Sequence, residues 1–153
     1  MKTQKQWFDE YAISHQNKTN QLIHYICVPL IFFSIVGLFM SIPSKGIENL
    51  IKMNNPILEN WATVILFILL FFYIKLSFST FLKMLLFSLT CLVGNYYLSN
   101  LIPLFYASLV IFVVAWIGQF YGHKLEGKKP SFFKDLQFLL IGPAWVFEKI
   151  SKK

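Results

Sequence analysis

Residues 25–42 read YICVPLIFFSIVGLFMSI, eighteen positions without one charged side chain. Leu22 and Ile23 extend the run to about the 20 residues that a helix needs to cross the hydrocarbon core of a bilayer. A helix that is apolar all round offers water no polar face. The stretch therefore predicts a membrane-spanning helix over residues 22–42, with Pro29 as a place for a bend.

The pattern repeats further along. Residues 61–98 form an apolar run interrupted only by Lys75 and Lys83. At about 38 residues it is too long for one tilted crossing. It predicts two crossings, 58–75 and 82–98, joined by a tight turn within KLSFSTFLK (residues 75–83). The sequence SNLIP (residues 99–103) then leads into a fourth crossing over 101–121. Composition agrees: 56% of the chain is apolar, only 14% is charged, and the mean hydropathy is +0.57. Soluble domains carry about 25% charged residues, and a chain of 153 residues is too small to hide so much apolar surface from water. The expected architecture is an all-α integral membrane protein of one domain, residues 1–153. It has four transmembrane helices and interfacial helices at both ends.

The N-terminal flank, residues 2–16, is short and amphipathic. Trp7, Tyr11 and His15 fall at i, i+4 and i+8 on one helix face, which predicts an interfacial helix with its rings at headgroup depth. NKTN (residues 17–20) supplies break and cap residues, so a second helix is expected to begin near Thr19 or Asn20. At the other end, Phe132, Phe133, Leu136, Leu139 and Leu140 line one face of a helix expected to start near Pro130. Gly142 and Pro143 are expected to end it, with a short final helix carrying Trp145 and Phe147. The tail, residues 130–150, reads as amphipathic and interfacial.

Charge sets the orientation. All fourteen basic residues are lysines, and the net charge is +7. In the four-crossing topology the N-terminal arm, the 75–83 turn and the tail lie on one side and hold twelve lysines, against Lys45 and Lys52 on the other. The positive-inside rule puts both termini in the cytoplasm. The absence of arginine argues against nucleic acid as a partner, because base recognition leans on the guanidinium fork. Cys27 and Cys91 sit inside apolar runs without any paired spacing and read as small buried hydrophobes. The polar first residues contain no secretory signal pattern, so the first apolar segment is expected to target the chain. Neither a glycine-rich phosphate loop nor a G-x-S-x-G elbow occurs.

The chain has three histidines, His15, His24 and His123. This topology puts all three at the cytoplasmic lip of the membrane. In WIGQFYGHKLEG (residues 116–127), Gln119 and His123 are about 40° apart on a helix, and His123 and Glu126 about 60°. Asn20 and His24 repeat the i, i+4 spacing. His15 and His24, nine positions apart, would point to opposite faces of one continuous helix and can meet only if the chain breaks at NKTN. Two readings stand on spacing alone. The histidines with a carboxylate make a transition-metal site, with Asn20 and Gln119 orienting the rings; or each histidine caps a helix end or meets lipid headgroups.

The stretches SHQNKTNQLIH with Pro29, WIGQFYGHKLEGKKPSF, and GPAWVFEK with Pro143 and Glu148 resemble the 2-hydroxy fatty acid dioxygenases of phytosphingosine metabolism. The resemblance covers essentially the whole chain. It implies an Fe(II)-dependent dioxygenase that uses O2 to shorten 2-hydroxy fatty acids by one carbon. It implies iron held by His15, His24 and His123, with Glu126 among the catalytic groups. A 2-hydroxy acid can chelate iron through its carboxylate and hydroxyl oxygens. Lys18, Lys124 and Lys128 would attract that carboxylate, and the acyl tail would lie among the phenylalanines. A bacterial inner membrane is the expected location, or the endoplasmic reticulum for a eukaryotic chain. The alternatives from other classes are a non-catalytic lipid-binding or scaffolding membrane protein, and a small transporter or channel. The latter would want polar groups deep in the bilayer, where Ser88 and Asn95 are more readily read as helix-packing residues.

Overall fold

The computed structural model describes residues 2–47, 55–127 and 132–151, with the backbone alone at 132–137. Among the described residues no strand occurs. The helices are α1 (Gln4–Ile13), α2 (Lys18–Met40), α3 (Trp61–Leu76), α4 (Phe78–Ser99), α5 (Leu104–Leu125) and α6 (Phe132–Ile150).

Helices α2, α4 and α5, of 23, 22 and 22 residues, are long and apolar enough to cross a membrane. Helix α3 is strongly apolar but has only 16 residues, about 24 Å at 1.5 Å per residue against a hydrocarbon core of about 30 Å. Three of the four expected crossings thus have helices of spanning length, and the one expected at 58–75 is shorter. Its ends explain this. Asn60 Oδ1 accepts from Thr63 N–H at 3.1 Å and starts the helix. At the far end Ser77 N–H reaches Tyr73 O, while Ser77 Oγ accepts from Thr80 N–H at 3.1 Å. One serine therefore closes α3 and opens α4, which begins at Phe78 rather than at the expected 82 and carries Lys83 within it. Large apolar side chains face outward from these helices, including Ile26, Phe67, Ile68, Leu86, Val110 and Ile117. Patches of this extent are rare on proteins surrounded by water and match lipid.

The chain forms two compact units, Met1–Phe32 with Val113–Lys153, and Phe33–Phe112. In the second, α3 packs against α4. Asn95 Nδ2 donates to Phe33 O at 3.0 Å and Cys91 O at 2.9 Å, which bonds α4 to the backbone of α2. Gly37 leaves the space that Asn95 and Ser108 fill, and Gly94 faces the Phe33 ring. These are the small-residue approaches that let apolar helices pack closely.

The first unit departs from expectation in two places. Helix α1 packs against α6, and Tyr11 is buried there against protein rather than turned to lipid, with ring centroids 5.3 Å from Phe138 and 5.0 Å from Trp145. Helix α6 also runs straight through Gly142 and Pro143, which do not end it. Residues 141–146 are all buried, so this part of the tail is core and not an interfacial surface. Burial of this segment offsets the backbone bond that Pro143 cannot donate. Gly142 contributes by leaving room: a Cβ there would stand 3.1 Å from Val28 Cγ1 and 3.2 Å from the Tyr11 hydroxyl. The expected helix start at Pro130, and the side chains of Phe132, Phe133 and Leu136, lie outside the described residues.

Candidate metal centre

The first unit brings all three histidines together, and the chain break does much of it. Helix α1 opens with a capping box of Thr3 and Gln6 and ends at Ile13. Helix α2 starts at Lys18, where Asn17 Oδ1 accepts from Thr19 N–H at 2.8 Å and Asn20 N–H at 3.2 Å. His15 lies in the connection between them. The break falls at residues 14–17, slightly earlier than NKTN suggests, and lets the His15 ring turn toward α2.

The imidazole centroids of His15 and His24 are 4.2 Å apart, those of His24 and His123 5.0 Å, and those of His15 and His123 5.4 Å. One ligand nitrogen from each lies within 4.8 Å of the other two, and all three residues are buried. Two of the rings are held by main chain. His15 Nδ1 bonds Tyr11 O at 2.6 Å, and His24 Nδ1 bonds Asn20 O at 2.9 Å. A carbonyl can only accept, so each Nδ1 carries its proton, and in the neutral form of either ring the lone pair lies on Nε2. His24 Nε2 is buried and has no hydrogen-bond partner. An acceptor left in that condition costs about 1–3 kcal/mol, which a bound cation would offset.

Between the rings is a cavity of about 10 Å³, lined among others by Tyr11, Val28 and Gln119. That is about the space of one water and suits a single ion. Three imidazole nitrogens suit iron, zinc, copper or nickel better than magnesium or calcium. The donor set, its burial and the unsatisfied nitrogen therefore fit a transition metal.

Aromatic rings close one side. Tyr11 stacks on His15, centroids 4.1 Å apart at 8°, and Trp145 stands 5.7 Å from the same ring. Sequence reading missed both as site residues. Tyr11 could have been found as the residue four before His15, whose carbonyl a histidine Nδ1 can reach; Trp145 carried no such signal.

Glu126 is placed with its oxygens on the chain connection before α2. Oε1 accepts from Gln16 N–H at 2.8 Å; Oε2 accepts from Asn17 N–H and from Asn20 Nδ2, both at 2.9 Å. Both oxygens thus hold the connection that carries His15. Burial pushes the carboxyl up, but the bonds from Asn20, Asn17 and Gln16, with the nearby His15, outweigh it and hold it below the usual carboxylate range. Asn20 also donates to Ser14 O at 3.2 Å, so it braces the same segment while its own carbonyl anchors His24. Gln119 is buried beside the cavity. Lys18 and Lys124 are exposed. Lys128 lies outside the described residues.

Gly118 and Gly122, four apart on α5, form the remaining support. A Cβ on Gly118 would collide with Cys27 Sγ. One on Gly122 would collide with Asn20 Oδ1 and stand 3.5 Å from His24 Cε1. The G-x-x-x-G spacing is a known signal for close helix approach and was legible in the sequence. Gly122→Ala is expected to destabilise the protein by about 1–3 kcal/mol through overpacking. It should also lower metal content, because Asn20 and the His24 ring must move; thermal unfolding in detergent and elemental analysis read the two effects.

The fold and site define an all-helical protein with apolar helices of spanning length and a buried three-histidine cluster compatible with a metal. Within that class, the chain belongs to the Mpo1-like family, described as 2-hydroxy-palmitic acid dioxygenase Mpo1-like, whose family model matches residues 1–153. No curated protein and no solved structure matches the chain.

Proposed function

We propose that the protein is an Fe(II)-dependent dioxygenase that shortens 2-hydroxy fatty acids by one carbon. The observation that carries this reading is the convergence of three buried imidazoles in a chain whose family is described by dioxygenase activity. His15, His24 and His123 would hold the iron, which when bound supplies O2 activation and sites for the two oxygens of a 2-hydroxy acid. The overall change balances without an external reductant: 2-hydroxy acid plus O2 gives the shorter acid, CO2 and water.

The chain's own groups prepare the site. The Tyr11 and Asn20 carbonyls fix the Nδ1 protons of His15 and His24 and so direct Nε2 inward. Glu126 and Asn20 hold the His15 segment and are positioning residues. Tyr11 and Trp145 exclude water. Lys18, Lys124 and Lys128 raise the local concentration of a carboxylate. Counting α3 as a fourth, shorter crossing, the lysine asymmetry favours both termini and the site at the cytoplasmic face of a bacterial inner membrane or endoplasmic reticulum. An amphiphilic acid would meet the site there with its tail still in lipid.

Protein purified without oxygen is expected to hold about one iron per chain, and to turn 2-hydroxypalmitate into the acid one carbon shorter only when O2 is admitted. Absence of stoichiometric redox metal, together with lipid binding that survives loss of the histidines, would favour a non-catalytic lipid-binding protein.

A further inference from the structure

The cavity at the histidines holds an ion or a water, and nothing larger. A 2-hydroxy acid must bring two oxygens and a carbon chain to the same place. One of the walls therefore has to move, and one wall has space behind it. A groove of about 380 Å³ lies between α1 and α6, lined by Lys5, Phe8, Ala12, Trp145, Glu148 and Lys149 among others. Trp145 belongs to both places: it lines the groove and stands 5.7 Å from the His15 ring. Tyr11, the neighbouring wall, is less able to swing, because its own carbonyl holds His15 Nδ1 and its ring lies flat on His15.

We infer that the α1–α6 groove is where the head end of the 2-hydroxy acid waits, and that Trp145 is the gate between this groove and the histidine cluster. The inference rests on the dioxygenase reading for the identity of the ligand. The groove's chemistry suits an amphiphile. Phe8, Ala12 and Trp145 give it an apolar wall for the first methylenes, and Lys5 and Lys149 offer ammonium partners to the carboxylate, each set among the acidic groups Asp9 and Glu148 that also line the groove. Lys149 also lies over the Trp145 ring, with Nζ 5.6 Å from its centroid. A cation so placed holds the indole while the groove is empty. An arriving carboxylate competes for that lysine, so binding itself loosens the gate. Entry of the ligand and opening of its path are then one event, as in other small gated sites.

The test is photolabelling of the metal-free full chain in lipid nanodiscs, using a 2-hydroxypalmitate that carries a diazirine a few carbons from its hydroxyl. Labels are expected on α1 between Gln4 and Ala12 and on α6 between Trp145 and Lys149. Ala12→Trp, which fills the groove, should cut that labelling about tenfold; in the iron-loaded protein it should raise KM by a similar factor, with iron content unchanged. If the tryptophan prevents folding, Ala12→Leu provides a smaller block with a proportionate effect. Labels confined to other helices, or labelling and KM unmoved by filling the groove, would overturn the inference even if the protein turns over 2-hydroxy acids. Groove labelling that Ala12→Trp abolishes, in a protein that never takes up iron, would keep the groove as a 2-hydroxy acid site and overturn the dioxygenase reading instead.

Discussion

His24→Leu is expected to abolish iron binding and turnover while leaving the metal-free protein as stable as the wild type, or more stable. In the metal-free wild type the His24 Nε2 is a buried acceptor without a partner, a cost of about 1–3 kcal/mol. Leucine fills a comparable volume and brings no polar atom. The Nδ1 bond that is lost goes to Asn20 O, a carbonyl that lies four residues back on the same helix, so little new is left unpaired. A residue kept for packing would behave in the opposite way and lower stability on replacement. The metal-loaded comparison should reverse the order. At a free iron concentration 100 times its dissociation constant the wild type gains about 2.7 kcal/mol, and the variant gains nothing. Thermal unfolding with and without Fe(II), beside elemental analysis and product assay, measures all of this. A metal-free variant several degrees less stable than wild type, with iron content unchanged, would sink the assignment of His24.

Glu126→Ala should weaken iron binding by about 10–100-fold although every histidine remains, the range found when groups that orient metal ligands are removed. The carboxylate takes three hydrogen bonds, two from main-chain N–H groups of the segment that carries His15 and one from Asn20 in the first turn of α2. Bonds to a charged acceptor are worth more than neutral ones; partial exposure and water tempers the loss, so about 1–3 kcal/mol of stability is expected to go. Glu126→Gln separates geometry from charge. It keeps one oxygen for one of the N–H groups and should fall between wild type and alanine in iron affinity. A direct ligand would instead show glutamine and alanine equally impaired, with the spectrum of the bound metal altered in both.

These two residues mark the boundary between what was readable in the chain and what was not. Runs free of charge, such as residues 25–42, determine helices and a lipid-matched surface by themselves, because each residue's solvation preference adds to its neighbours' without reference to the fold. The need for a break between His15 and His24 followed from helix geometry alone, and the structure supplies it at residues 14–17. The G-x-x-x-G at Gly118 and Gly122 was a further signal in the chain that the sequence reading passed over.

Other features waited on tertiary structure. Glu126 is three residues from His123, and spacing suggested that it would join the cluster; its oxygens instead meet N–H groups over 100 positions away in sequence. Gly142 and Pro143 are local helix breakers, yet α6 continues because the burial of residues 141–146 favours the helix more than the local sequence opposes it. Tyr11 has the amphipathic spacing of an interfacial residue, and only the packing of α1 on α6 turns it into a wall of the site. The sequence by itself determined where the long apolar helices lie, that they suit lipid, and which three imidazoles were available. The tertiary structure decided that the imidazoles meet, which groups hold them and what closes over them, because those contacts join segments far apart in the chain and exist only once α1, α2, α5 and α6 have packed.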